Sequence, residues 1–304
     1  MPVTLEGKLV IAISSRALFD LDDSNKIFEE KGEDEYTAYQ IEHENEVLGQ
    51  GVAFPLIKRL LELRNPETNE DMVEIILVSK NDPNTGLRVL NSIESYQLNI
   101  TRAAFSRGRT PYKYLKAFNA DLFLSANPDD VKLALENGYA SATIYTGTPY
   151  REDENFDEIR IAFDGDAVIF SDESEKIYQE KGLEEFKRFE KENREIPMAP
   201  GPFKAFLTAL NNLQNVYKNA DKKPIRTALV TARNAPAHAR AIKTLREWGI
   251  GVDEAFFLGG LDKAPILESF NPHIFFDDQH TYCITASKVV PTGHVPIGVK
   301  NSQK

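Results

Sequence analysis

The sequence predicts an α/β fold of two tandem three-layer halves, each a Rossmann-like parallel sheet between helices, with a helical insert after its first strand. Two observations carry this. Short apolar runs, among them 161–163, 227–230 and 274–276, stop at polar or acidic residues. Runs of that length bounded by turn signals read as buried strands. The chain also repeats itself. Residues 11–32 align without gaps on 161–182 with ten of 22 positions identical, where average composition would give roughly one or two. Farther on the offset grows from 150 to 152, so that Val78-Ser79 meets Val230-Thr231, Tyr96 meets Trp248 and Phe118-Asn119 meets Phe270-Asn271. The halves are expected at 1–150 and 151–304, each reading strand, helical insert, strand, helix, strand, helical segment, strand.

The elements of the second half end in chemistry. Its first strand stops at Asp164-Gly165-Asp166, where Gly165 would let the chain turn sharply and both acids would face the open end of the sheet. Paired carboxylates repel and cost desolvation, so they call for a cation. The next strand ends in Thr231-Ala232-Arg233, a hydroxyl followed by a cation. Lys263 stands where a helix starts, and a further strand ends in Asp277-Asp278. Each signal has a bland reading: an acidic turn capping a helix, a cap at Thr231, a solvated Lys263. In this order they suit Mg²⁺-dependent phosphoryl transfer.

These motifs resemble those of the haloacid dehalogenase (HAD) superfamily of phosphatases. The closer similarity is to the cytosolic type I 5'-nucleotidases. It is carried by Phe163-Asp-Gly-Asp-Ala-Val, Phe170-Ser-Asp-Glu-Ser-Glu, Leu229-Val-Thr-Ala-Arg, Lys243-Thr-Leu-Arg-Glu-Trp-Gly and Pro272-His-Ile-Phe-Phe-Asp-Asp-Gln. In the first half it includes Ser14-Ser-Arg-Ala-Leu-Phe-Asp and Glu42-His-Glu-Asn-Glu. The resemblance implies HAD-like halves and hydrolysis of nucleoside 5'-monophosphates such as AMP through an aspartyl-phosphate. Asp164 would be the nucleophile and Asp166 the general acid and base. Mg²⁺ would take Asp164, the Asp166 carbonyl, and Asp277 or Asp278. Thr231, Ala232, Arg233 and Lys263 would hold the phosphate. A phosphatase of sugar phosphates, or a nucleotide-sensing protein without turnover, remains an alternative.

The first half has lost this set. Ser14 stands at the position of Asp164, Arg16 at Asp166, Pro111 at Lys263 and Ser125 at Asp277, while Ser79 keeps the hydroxyl of Thr231. The N-terminal half is therefore expected to be catalytically degenerate, a packing or regulatory partner whose Ser14-Ser15-Arg16 corner could hold an anion. In the second half the insert, about 172–223, is expected to cap the site. Phe186, Phe189, Phe203 and Phe206 are candidates to stack on a base, with core packing the expected role of each. The run Glu184 to Glu195 reads as a solvated helix face and Arg240 as a helix-surface charge or a phosphate contact. His238, His273, His280 and His294 lack metal-ligand spacing and read as ordinary surface or core residues, and Cys283 lacks nucleophile partners.

Composition sets the class. A chain of 304 residues with 41% hydrophobic content supports two cores. The single cysteine suits a reducing, cytoplasmic setting. The first residues lack a secretory h-region, and no apolar run approaches the ~20 residues of a membrane span. A net charge of −11 argues against a nucleic-acid partner, though not against a small phosphorylated one. A homo-oligomer stays open.

Overall fold

The computed structural model describes residues 4–148, 158–220 and 222–301, so the expected boundary at 150/151 lies outside the described residues. Twelve strands are present among them: β1 Leu9–Ile13, β2 Phe19–Asp20, β3 Gly49–Gln50, β4 Val73–Ser79, β5 Arg102–Phe105, β6 Leu122–Ser125, β7 Ser141–Ile144, β8 Ile159–Phe163, β9 Ile225–Thr231, β10 Glu254–Phe257, β11 Ile274–Asp277 and β12 Thr292–His294. β2 and β3 pair with each other, and the other ten form one sheet in the order β10-β9-β8-β11-β12-β7-β6-β1-β4-β5. Neighbours run parallel except β12 and β7, which meet antiparallel with His294 opposite Thr143. The fold is α/β with a large, mostly parallel central sheet.

The strands are apolar on both faces because both faces are covered by helices. Along β1 and β4 side chains alternate. Ile11, Ile13, Ile75 and Leu77 join a core that runs on through Ile161, Phe163 and Phe276, whereas Val10, Ala12, Ile76 and Val78 join a smaller cluster on the opposite face. Two helices cover the continuous face: Phe54–Leu61 with Phe54, Leu56, Ile57 and Leu60 buried, and Lys204–Val216 with Phe206, Leu207, Leu210 and Leu213 buried. The first also touches β8 and the second touches β1, and Tyr217 Oη donates to the Arg64 carbonyl at 2.6 Å. At ~25 cal/mol per Å² of apolar surface, burying each such side chain contributes about 1.5–3 kcal/mol. Capping is local. Asp82 accepts from Asn84 N and Thr85 N to start helix Pro83–Ser95, and Asn127 accepts from Asp130 N to start Pro128–Glu136.

Of the expected cap region 172–223, the helix Lys204–Val216 belongs to this core layer, with Phe203 and Phe206 buried against Phe163 and Phe276. The other helical part of that region is the stretch Glu173–Glu192, broken at Gly182, whose φ of 81° only glycine adopts at low cost.

Candidate active site

Three adjacent parallel strands, β9, β8 and β11, deliver the motif residues to one end of the sheet. Thr231 closes β9, Asp164 follows β8 and Asp277 closes β11. Register is fixed across the last two, since Asp164 N donates to the Phe276 carbonyl at 2.8 Å. The turn after β8 differs from expectation in its cause. Gly165 is not in the left-handed region; the positive φ belongs to Ala167, at 60°. What a side chain at Gly165 would meet is Thr231 Oγ1, 3.2 Å from a Cβ placed there, so the hydroxyl would have to give by a few tenths of an ångström.

Lys263, just before helix Ala264–Phe270, donates from Nζ to Asp164 Oδ1 at 2.7 Å and to Asp277 Oδ2 at 2.6 Å, and is 1% exposed. Asp277 Oδ1 accepts from Gln279 N at 2.8 Å. Asp278 is 3% exposed and its Oδ1 has no hydrogen-bond partner among the described residues, while its main-chain carbonyl accepts from His294 Nε2 and Asn301 Nδ2. Oxygens of Asp164, Asp277 and Asp278 lie within 4.8 Å of one another. Burial, then Lys263 against the neighbouring carboxylates, leaves Asp164 pushed up to about 7. Burial, then Asp164 and Asp277, raises Asp278 well above the usual carboxylate range. Burial opposes the charge on Lys263, but Asp164 and Asp277 outweigh it and hold the ammonium protonated.

With all three carboxylates ionised against one ammonium, two negative charges would stand uncompensated in a buried place, which is why Asp164 and Asp278 hold protons more tightly than an ordinary carboxyl. An orphaned carboxylate oxygen and an all-oxygen donor set fit a hard divalent cation. Asp277, with one oxygen on Lys263 and the other on Gln279, is the most committed of the three; Asp278 is the freest.

Asp166 lies beside this cluster and is engaged elsewhere. Arg233 takes it in a two-pronged pair, Nε to Oδ2 at 2.7 Å and Nη2 to Oδ1 at 2.6 Å. Arg233 was expected to meet substrate phosphate. Its guanidinium is instead buried and spent on Asp166 and on Glu190 Oε2, 2.7 Å from Nη1. Burial opposes its charge, yet Asp166 and then Glu190 raise its pKa. Its main-chain N–H donates to Thr231 Oγ1 at 3.2 Å, which leaves the Thr231 proton available. Ala232, between them, is half-buried.

Glu190 was missed from the sequence. The run expected as a solvated face contains a fully buried carboxylate, at 0% exposure. Its Oε1 accepts from Ser174 Oγ at 2.5 Å and Arg240 Nη1 at 3.3 Å. Arg240 is likewise buried rather than on the surface, with Nε donating to the Ile196 carbonyl at 2.9 Å. Phe186 lies under the Arg233 guanidinium and Phe189 under that of Arg240. The available signal was Phe186 and Glu190 one turn apart with Phe189 beside them, an aromatic face that a fully solvated helix would not carry.

The other flagged residues are placed as follows. His273 is buried with Nδ1 accepting from Arg160 N, His280 is exposed with Nδ1 2.6 Å from Tyr145 Oη, and His238 is half-buried. Cys283 is buried and donates to the Asp277 carbonyl, and burial raises its thiol.

Carboxylates at the ends of neighbouring parallel strands, one lysine between them and a hydroxyl alongside make a centre suited to cation-assisted phosphoryl transfer. The chain belongs to the 5'-nucleotidase family, whose model matches residues 1–302. It is similar to human (Homo sapiens) cytosolic 5'-nucleotidase 1B, with 41% identity over 289 residues, covering 91% of this chain and 47% of that protein. The chain thus spans about half the length of this curated relative. No solved structure gives a significant match.

Proposed function

We propose that this chain hydrolyses nucleoside 5'-monophosphates to nucleoside and phosphate, with Mg²⁺ held by Asp164, Asp278 and the main-chain carbonyl of Asp166. The observation that carries this is the buried centre in which Lys263 ties Asp164 to Asp277 while Asp278 keeps an unpartnered oxygen. Family membership supplies the substrate class, and the relative's name a cytosolic setting.

Lys263 holds Oδ1 of Asp164 and so leaves Oδ2 to attack phosphorus in line. The P–O5' bond breaks as the Asp164–phosphorus bond forms, and Asp166, protonated on one oxygen released from the Arg233 pair, gives that proton to the departing O5'. Asp166 then takes a proton from the water that attacks the aspartyl-phosphate. Thr231 Oγ and Lys263 Nζ donate to the equatorial phosphoryl oxygens. When bound, the cation neutralises the repulsion between these carboxylates and a phosphate dianion. Phosphate release in Mg²⁺ from AMP, IMP, deoxynucleotides and sugar phosphates tests the reading. Preference for nucleotides supports it, and no release from any of them overturns it.

We also infer that the halves 1–150 and 151–304 are duplicated HAD-like domains, with the N-terminal one without chemistry. What supports this is that β1 and β8 match at offset 150, and β4, β5 and β6 match β9, β10 and β11 at offset 152. Side-chain contacts repeat as well. Arg88 Nε donates to the Glu46 carbonyl at 3.0 Å as Arg240 Nε does to Ile196 at 2.9 Å. Leu48 N donates to Ser92 Oγ as Met198 N does to Thr244 Oγ1, both at 3.0 Å. In the first half Arg16 pairs with Asp22, Ser14 Oγ accepts from Ala126 N, and Gln40 stands where Glu190 does.

A further inference from the structure

We propose that Glu190, through Arg233, positions the acid Asp166, so that the helical insert sets the geometry of leaving-group protonation. This rests on the reading of Asp166 as the acid given above. Asp166 stands on a loop and is 20% exposed at its side chain, so its rotamer is not fixed by strand packing. What fixes it is the guanidinium fork of Arg233, which meets both its oxygens. A planar fork holds a carboxylate in one orientation only if the fork itself cannot swivel. Arg233 ends a long side chain, and its far edge is held by Glu190 Oε2 through Nη1.

Glu190 in turn has no freedom. Its other oxygen takes Ser174 Oγ from across the break at Gly182, together with Arg240 Nη1. The chain of contacts therefore runs from both arms of Glu173–Glu192 to the carboxylate that must meet O5'. In this relay Arg233 stands between Asp166 and Glu190, and Arg240 between Glu190 and Glu173, whose Oε2 lies 3.5 Å from Nη2; the charge of Asp166 is also felt by Asp164 and Asp278 in the cluster around Lys263. A buried carboxylate on an insert, 43 residues before its arginine, contributes little net stability for its desolvation cost. Holding an acid in register with its leaving group is a function that such a pair performs well.

Leaving-group dependence separates positioning from mere support. The substrates are the nucleoside monophosphate turned over fastest and the same nucleotide with sulfur bridging C5' and phosphorus. In the oxygen ester the P–O5' bond breaks as Asp164 bonds to phosphorus, and the Asp166 proton goes to O5'. In the sulfur ester the P–S electron pair leaves with sulfur as a thiolate, which needs no proton. The readout is the ratio of kcat/KM for the oxygen ester to that for the sulfur ester, in Mg²⁺, on the full chain. This ratio does not depend on the fraction of protein that is folded.

Asp166→Asn is expected to lower the ratio by about 10²- to 10⁴-fold, the usual contribution of a general acid. Glu190→Gln and Arg233→Lys are each expected to lower it on the order of 10-fold or more, as a displaced catalytic group does. Ser174→Ala removes one of the two hydrogen bonds to the other oxygen of Glu190 and is expected to lower the ratio by less than Glu190→Gln does, since Arg240 still holds that oxygen. If Glu190→Gln keeps the wild-type ratio where Asp166→Asn has lost it, Glu190 is structural and the inference fails. If Asp166→Asn itself keeps the ratio, the reading of Asp166 as the acid fails, and this inference fails with it.

Discussion

Replacing Asp278 with Asn should stabilise the metal-free protein and destabilise it relative to wild type once Mg²⁺ is present. Asp278 is 3% exposed with an unpartnered Oδ1, and its oxygens lie within 4.8 Å of those of Asp164 and Asp277. At an effective dielectric constant of about 20, two like charges at that separation repel by roughly 3 kcal/mol. An ionised Asp278 suffers two such repulsions and gains one attraction from Lys263, so keeping it in the native state costs about 3 kcal/mol, either as net repulsion or as the proton it holds to avoid that repulsion. The buried amide returns some of that, which leaves a gain of about 1–3 kcal/mol, or roughly 2–6 °C in Tm for a chain of this size. With Mg²⁺ at a hundred times its dissociation constant the wild type gains about 2.7 kcal/mol by mass action. The variant, lacking the freest ligand, gains little, so the two melting curves exchange order. Differential scanning calorimetry in chelator and then in Mg²⁺ measures both halves of the statement. A variant that melts below wild type in chelator, or that gains as much from Mg²⁺, refutes the reasoning.

Three further outcomes follow from the same centre. Asp164→Asn should abolish phosphate release by several decades while the protein stays folded, because a neutral amide is neither nucleophile nor good ligand; near-normal turnover would remove Asp164 from the nucleophile's place. In chelator, stability should fall as pH rises. The Asp164 carboxyl is pushed up to about 7 from an ordinary 3.8, so the native state keeps a proton that the unfolded chain has released, and the loss develops between about pH 4 and 7. Added Mg²⁺ favours the ionised form and should flatten that slope, which a flat profile in chelator would contradict. Ser14→Asp with Arg16→Asp, placed on Asp164→Asn, should stay inactive because Pro111 and Ser125 supply neither cation nor carboxylate; recovered Mg²⁺-dependent phosphate release would show that the first half was not disarmed in this way.

The strand ends were legible because buried strands write themselves as short, doubly apolar runs, and Asp164, Thr231 and Asp277 fall where three such runs stop. Lys263 was legible only by its order among them. Glu190 was harder to read, since the alternating charges do not mark it and its one signal was the aromatic pair Phe186 and Phe189 on the same helix face. Its partners Arg233 and Arg240 come 43 and 50 residues later, and only the tertiary fold brings them together. The tight space at Gly165 was not legible, because the contact with Thr231 belongs to the neighbouring strand. The relative direction of the two groups of strands was invisible too, since it depends on how β7 and β12 meet and not on any motif.

That antiparallel meeting has a geometric meaning. Two identical chains that join sheet edge to sheet edge about a twofold axis must run the contacting strand against its own copy, since rotation about the axis reverses it. β12 and β7 meet in that sense, and the order outward from them, β11-β8-β9-β10 on one side and β6-β1-β4-β5 on the other, continues it. On the duplication inferred above, the chain has the form of a self-complementary dimer tied into one polypeptide, in which each half covers the hydrogen-bonding edge that the other would leave open. It follows that Ser14 and Asp164 lie at opposite ends of the sheet, and that either half expressed alone would present a bare edge strand able to pair with a second copy of itself.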